Sequence, residues 1–219
     1  MKKAGTQSNV LKSIAAITFV LILVLSVVFK PEILTVLPLF VSIIVLFLQS
    51  QVSRYSFLIG TFNSVFYAVA YYLMGLYSLC AYALLVSTPI TLCTFLLWNK
   101  NTTNGETKTR SMTAVQRLLL FGSMALVWVV LFAIFSAFDS SYLVLDNTLS
   151  VLGIAASILC VFRLSEYAVL NVVSGVVNIV LYSVMVSDDI SKIVWLVFTV
   201  YSATCSVMAF INMTRREKK

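Results

Sequence analysis

The chain contains no histidine and few charged residues. Over its 219 residues, 11% are charged and 61% are hydrophobic, and the mean hydropathy is +1.02. A soluble domain of this length has roughly a quarter charged residues, so the composition excludes a soluble globular protein and predicts an integral membrane protein. The lack of histidine also removes the commonest proton relay and metal ligand.

Cysteines and enzyme motifs are equally uninformative about catalysis. Cys80, Cys93, Cys160 and Cys205 lie inside apolar runs without the spacing of a metal site or redox pair, and we interpret them as small packing residues. The HExxH, GxSxG and phosphate-binding-loop motifs are missing, as are paired carboxylates within the apolar runs. We therefore expect no enzyme activity, no metal, no cofactor and no ATP binding.

Long apolar segments make up most of the chain. Each is close to the length of about 20 residues that a transmembrane helix needs, and the N-terminal one lacks a small-x-small cleavage site, which favours a retained span over a signal peptide. The only long connection is the polar segment 99–112. We predict an all-α integral membrane protein with eight transmembrane helices, near 11–29, 32–49, 56–74, 76–98, 115–138, 141–161, 166–186 and 189–212.

The positive charges predict the orientation in the bilayer. The net charge of +7 comes from short clusters beside apolar segments, a distribution that indicates membrane topology and not nucleic-acid binding. With eight spans and a cytoplasmic N-terminus, all of the 15 lysines and arginines except Lys30 and Lys192 fall on the inner side. Both termini are therefore expected in the cytoplasm.

A short pattern occurs twice, with a shift of 115 positions that is the separation of Asn63 and Asn178. The stretches TFNSVFY and VVNIVLY share an N-x-x-x-Y pattern, so that Tyr67 corresponds to Tyr182. The shift also brings the three apolar segments between residues 32 and 98 onto the last three. The segment 115–138 joins the two triplets, and this odd linker gives both the same orientation.

This arrangement predicts a parallel 3+1+3 repeat like that of the SWEET transporters, with one additional helix before it. Four parts follow from it. They are an N-terminal tail and additional helix at 1–30, the first three-helix repeat at 31–100, a cytoplasmic loop and linker helix at 101–140, and the second repeat with a basic cytoplasmic tail at 141–219.

The Asn/Tyr pairs are the main candidates for a binding site. Residues four apart share a helix face, and Asn171 lies on the same face as Asn178 and Tyr182. An amide in lipid would leave its hydrogen bonds unmade at a cost of several kcal/mol. Taken singly, Asn63 or Asn178 fits interhelical hydrogen bonding. Their equivalent repeat positions favour a shared central cavity for a neutral polar ligand, which Tyr67 would also line.

Several other residues are candidates with open alternatives. Asp146 is the acidic residue within a span and has either a binding role or a helix-entry role. Trp195 fits ring stacking on a ligand or ordinary packing. Ser87 and Ser202 are equivalent polar positions in the two repeats and are counted as candidate ligand contacts.

Two further features concern helix geometry. Arg163 and Glu166 lie three apart at an inner turn, where they fit a local ion pair or a gating role. Pro89 lies inside a predicted span, so a kink is expected near Ser87, with Thr88 and Thr91 helping to satisfy the freed carbonyl groups.

The segment LDNTLSVLGIAASILCVFRLSEYAVLNVVSGVVNIVLY resembles the second-repeat core of the PnuC family of bacterial vitamin transporters. The family pattern there is an Asp, an apolar helix, a basic residue, a Glu and a closing Leu-Tyr, which match Asp146, Arg163, Glu166, Leu181 and Tyr182. The first-repeat stretch FNSVFYAVAYYLMGLYSL is similar too, and the resemblance covers roughly residues 35 to 215.

The resemblance implies facilitated diffusion of nicotinamide riboside across a bacterial inner membrane, with retention through phosphorylation by a separate cytoplasmic kinase. It is also compatible with a homo-oligomer. The family's tryptophans after the Glu appear here as Ala168 and Asn171, a customary Asn as Gly175 and a Gln as Ser157. Thiamine, riboflavin or a deoxynucleoside therefore stays an alternative cargo. A SWEET-like sugar transporter and a non-transporting membrane scaffold are the further alternatives.

Overall fold

The computed structural model describes residues 2–50, 55–100, 111–138, 140–162 and 164–217, with side chains described at 13–48, 55–96, 111–138, 140–162 and 164–211. Arg163 and most of the polar segment 99–112 lie outside these ranges. The described residues form eight long helices: α1 (Lys2–Phe29), α2 (Ile33–Ser50), α3 (Tyr55–Leu73), α4 (Tyr77–Ala81, Tyr82–Ser87 and Thr88–Lys100 in succession), α5 (Ala114–Phe135), α6 (Leu143–Val161), α7 (Glu166–Asp188) and α8 (Ile193–Glu217).

Six of these helices are long and apolar enough to cross a membrane. They are α3 to α8, and the apolar parts of α1 and α2, at Ser13–Phe29 and Ile33–Leu48, are shorter. Many apolar side chains on the outer faces of the helices are exposed, as a lipid solvent requires. The composition's prediction of an all-helical membrane protein is confirmed.

The two groups of three helices pack in the same manner. In the first group α3 contacts both α2 and α4, and in the second α7 contacts both α6 and α8. Between the groups, α2 contacts α8 and α4 contacts α6, so the first helix of each group meets the third helix of the other. Helix α5 contacts α6 and has no buried residue, while α1 lies against α2 and α8.

The kink expected in α4 takes the form of a π-helical turn. Pro89 has no backbone N–H to donate within the helix, and the residues just before it, Tyr82–Ser87, are π-helical. The hydroxyl group of Thr88 donates to the Ala83 carbonyl at 2.8 Å, and that of Thr91 donates to the Ser87 carbonyl at 2.7 Å. These bonds confirm the predicted part of the two threonines in satisfying the helix backbone.

A tight turn between α3 and α4 brings two loops together. Gly75 has φ +71°, a conformation that glycine adopts without strain. Its carbonyl accepts hydrogen bonds from the backbone N–H of Ser141 at 2.9 Å and the Ser140 hydroxyl at 3.3 Å. A Cβ atom at position 75 would lie 2.7 Å from Ser141 Oγ. The turn therefore holds the start of α4 against the start of α6.

A cavity between α7 and α8

The described residues enclose a partly open cavity of about 200 Å³ between α7 and α8, with α3 on one side. Ligand pockets usually measure roughly 300–1,000 Å³, so this one suits a small molecule. Its lining consists of Tyr67 and Tyr71 from α3, Asn171, Ser174, Gly175, Asn178 and Tyr182 from α7, and Trp195, Phe198, Thr199, Ser202 and Ser206 from α8.

Aromatic rings form one wall of the cavity around Trp195. The indole stacks on the Tyr182 ring, with centroids 5.1 Å apart and planes at 27°. Tyr67 and Tyr71 each lie 5.8 Å from it, at 68° and 44°. Trp195 is 2% exposed, and its Nε1–H has no acceptor among the described residues. A buried indole N–H usually has a partner, so this donor is free for a ligand.

Amide and hydroxyl groups form the other wall. Asn178 Nδ2 donates to the Ser174 carbonyl at 3.0 Å within its own helix, and its Oδ1 accepts no bond from the described residues. Thr199 and Ser206 donate back to the carbonyls of Trp195 and Ser202, so their hydroxyl oxygens keep accepting capacity. This wall offers both donors and acceptors without charge.

Close packing at one glycine sets the separation of α7 and α8. A Cβ atom at Gly175 would lie 3.0 Å from the Cβ and 3.2 Å from the Cα of Ala203. Contacts below 3.4 Å are tighter than ordinary van der Waals contact. The absence of a side chain at this position lets the helices approach beside the cavity.

Six of the residues predicted from the sequence lie together in this lining: Tyr67, Asn171, Asn178, Tyr182, Trp195 and Ser202. Sequence reasoning did not name Phe198 and Thr199 as ligand contacts. Both follow Trp195 by three and four positions, so the helical period starting from Trp195 would have found them.

Asn63 does not line the cavity, because α2 packs closely against α3 and takes up its amide. Its Nδ2 donates to the Pro38 carbonyl at 3.2 Å and to Ser42 Oγ at 2.7 Å. Ser42 Oγ in turn lies 2.7 Å from the Tyr67 hydroxyl, which belongs to the lining. The expected direct ligand contact of Asn63 is thus replaced by an indirect one through two hydroxyl groups.

Ser87 and Asp146 also lie outside the lining. Ser87 Oγ is 2.9 Å from Ser64 Oγ, in the seam between α3 and α4. The Asp146 carboxylate is fully buried and accepts the backbone N–H groups of Ser78 at 3.0 Å and Leu79 at 2.9 Å. These are among the first N–H groups of α4, which have no partner within the helix. Asp146 is therefore a helix cap, which corrects its expected binding role.

Glu166 pairs with a residue of the linker helix. Its Oε1 accepts from Arg117 Nη2 and from the Met112 backbone N–H, both at 2.9 Å. The pair joins the start of α5 to the start of α7. The expected partner Arg163 lies outside the described residues.

No cavity-lining residue is Asp, Glu, Lys or Arg. Among the residues that the structure describes, no group of three His, Cys, Asp or Glu side chains is placed to hold a metal. Helices that cross the membrane around a neutral, partly enclosed cavity characterise the chain as a multi-pass membrane protein of transporter type.

The comparisons with known proteins give the family. A family model described as "Nicotinamide mononucleotide transporter" matches residues 32–216, and the chain belongs to this family, that of the PnuC transporters. A curated relative from Neisseria mucosa, "Nicotinamide riboside transporter PnuC", is 27% identical over 179 residues, which are 78% of this chain and 67% of the relative. A solved structure, "Crystal structure of the Vitamin B3 transporter PnuC", is similar in fold with a TM-score of 0.70 and 21% identity, covering 90% of each chain.

Proposed function

We propose that the protein carries nicotinamide riboside across the membrane by facilitated diffusion. The observation that carries the proposal is the composition of the cavity, which has aromatic faces on one side and uncharged amide and hydroxyl groups on the other. A heteroaromatic ring fits the first wall, and ribose hydroxyl groups fit the second. The curated relative's name, a nicotinamide riboside transporter, agrees with this assignment.

The absence of lysine and arginine from the lining favours the riboside over the mononucleotide. A phosphate group in a largely dehydrated cavity needs a cationic partner, because burying an unpaired charge is costly. The pyridinium ring of nicotinamide riboside carries a positive charge, which the faces of Trp195 and the neighbouring tyrosines attract. The cavity thus suits a cationic nucleoside and disfavours its phosphorylated form.

Facilitated diffusion fits the same lining, since no ionisable carboxylate faces the cavity to couple transport to protons. Net uptake then requires that the substrate is consumed inside, and phosphorylation by a separate cytoplasmic kinase would do this. The protein would lie in the bacterial inner membrane with both termini in the cytoplasm, as the charge distribution indicates.

A parallel 3+1+3 repeat is proposed for the architecture. The reciprocal contacts, α2 with α8 and α6 with α4, are those expected of two groups related by a two-fold axis along the membrane normal. Helix α5 is then the linker, α1 is the additional helix, and α1 and α2 complete eight spans. The two groups would move against each other during transport.

A ligand screen on the purified protein tests the proposal. The melting temperature in detergent is measured with nicotinamide riboside, nicotinamide mononucleotide, thiamine, riboflavin, a deoxynucleoside and a sugar. We expect stabilisation by nicotinamide riboside, little by the mononucleotide, and loss of the effect in Asn178→Ala but not in Ser183→Ala, an exposed position on the same helix. Stabilisation by one of the other compounds alone would replace the proposed cargo with that compound.

A further inference from the structure

We infer that Asn63 is a positioning residue that makes the Tyr67 hydroxyl group a hydrogen-bond donor into the cavity, acting through Ser42. The inference rests on the proposed function, since it concerns how the same cavity binds its ligand. It follows from the number of donors and acceptors in three contacts: Asn63 with Pro38, Asn63 with Ser42, and Ser42 with Tyr67.

The orientation of the Asn63 amide is fixed by the Pro38 carbonyl. A carbonyl oxygen only accepts hydrogen bonds, so the amide atom facing it at 3.2 Å is the nitrogen. The same nitrogen lies 2.7 Å from Ser42 Oγ and donates its second hydrogen there. Asn63 is 3% exposed, and water does not compete for these two bonds.

The direction of the next bond follows. Ser42 has one hydrogen and already accepts from Asn63, so the acceptor available to its hydrogen is the Tyr67 oxygen at 2.7 Å. Several other helical Ser and Thr hydroxyls here donate to the carbonyl four residues earlier, as Thr61 does to Phe57. For Ser42 that carbonyl is Pro38, which accepts from Asn63 instead. The Tyr67 hydrogen is then free, and Tyr67 lines the cavity.

The result is a second neutral donor beside the free Nε1–H of Trp195, whose ring lies 5.8 Å from that of Tyr67. A ligand recognised by this pair carries acceptor oxygen atoms, such as those of ribose hydroxyl or carboxamide groups, next to its ring. Without Asn63, Ser42 would donate to Pro38 and accept from Tyr67, and the donor would be lost from the cavity.

Binding of nicotinamide riboside by purified variants tests the relay. We expect Asn63→Ala to weaken binding about fivefold to tenfold, the effect of one hydrogen bond, and Ser42→Ala to change it little. The double variant Asn63→Ala/Ser42→Ala should recover most of the lost affinity, because no serine is left to accept the Tyr67 hydrogen. In a Tyr67→Phe background, Asn63→Ala should have no further effect on affinity.

A purely structural role for Asn63 predicts the opposite, since removing a second polar group from the α2–α3 contact would weaken binding further. A double variant that binds more weakly than Asn63→Ala therefore overturns the inference and leaves the proposed cargo intact. The proposed cargo fails separately, if the native protein does not bind nicotinamide riboside.

The direction of the bond is also measurable without a ligand. The ring C–O stretch of tyrosine shifts according to whether the hydroxyl group donates or accepts, and subtraction of the Tyr67→Phe spectrum isolates one tyrosine. We expect an accepting Tyr67 hydroxyl in the native protein and a donating one in Asn63→Ala. A donating hydroxyl in the native spectrum would overturn the relay whatever the ligand.

Discussion

The carboxylate of Asp146 accepts the backbone N–H of Leu79 at 2.9 Å, across the contact between the first helix of the second group and the third helix of the first. The second oxygen accepts from the Ser78 backbone and the Ser140 hydroxyl, at 3.0 and 2.7 Å. The neighbouring Asn147 donates to the Trp128 carbonyl at 2.8 Å. These bonds connect α6 to the start of α4 and to α5.

Asp146→Asn should destabilise the protein without changing ligand affinity in the folded fraction. An amide presents one accepting oxygen in place of two, so a buried N–H or hydroxyl group of α4 or Ser140 loses its partner, at a cost of about 1–3 kcal/mol. Thermal unfolding in detergent measures the loss. Unchanged stability with abolished binding would instead give Asp146 the ligand role that its sequence position suggested.

Trp195→Phe should weaken binding of nicotinamide riboside about fivefold to thirtyfold. The change removes the free Nε1–H and part of the ring surface that faces Tyr67, Tyr71 and Tyr182. The matched control is Trp128→Phe, since Trp128 donates to Thr148 at 3.0 Å and is not part of the lining. Equal losses in both variants would contradict the assignment of the cavity as the binding site.

The sequence predicted the membrane class and most of the cavity-lining residues, because both depend on patterns along single helices. A run of about 20 apolar residues indicates a span by its length, and the N-x-x-x-Y spacing places Asn178 and Tyr182 on one face whatever lies opposite. These properties do not depend on the neighbouring helices.

The equivalence of the two repeats was less informative, because contacts depend on which side chains lie opposite. Asn63 and Asn178 occupy equivalent positions, yet Asn63 bonds to α2 while Asn178 faces the cavity. Ser42 and Ser157 are also equivalent under the shift, but Ser157 contacts the Tyr82 hydroxyl at 3.0 Å. The α8 position equivalent to Tyr82 is Val197, so the second repeat has no counterpart of that bond.

Gly175→Ala should lower ligand affinity by separating α7 from α8. The new methyl group would meet Ala203 at 3.0 Å, and the helices must move by a few tenths of an ångström to accommodate it. We expect Ala203→Gly to restore binding in the double variant, since it removes the opposing Cβ. Gly122→Ala is the matched control, because a Cβ atom at Gly122 has nothing within 4 Å. Failure of the compensating change would contradict close packing as the cause.

Glu166→Ala should cost more stability than Arg117→Ala. Removal of the carboxylate leaves the Met112 N–H without its acceptor, at about 1–3 kcal/mol. Removal of Arg117, whose side chain is half exposed, deletes an ion pair at the protein surface that is worth up to about 1 kcal/mol. Thermal unfolding of the two variants compares them directly. Equal or reversed losses would show that the charge pair, not the backbone contact, stabilises the start of α5.

Uptake of labelled nicotinamide riboside into proteoliposomes that contain the purified protein, without ATP or an ion gradient, tests the central claim most directly. The account predicts that the internal concentration rises to the external one and no further. It also predicts that the mononucleotide competes poorly, and that Asn178→Ala slows uptake strongly while Ser183→Ala does not. No uptake by the native protein, or equal uptake by the native and Asn178→Ala proteins, would contradict it.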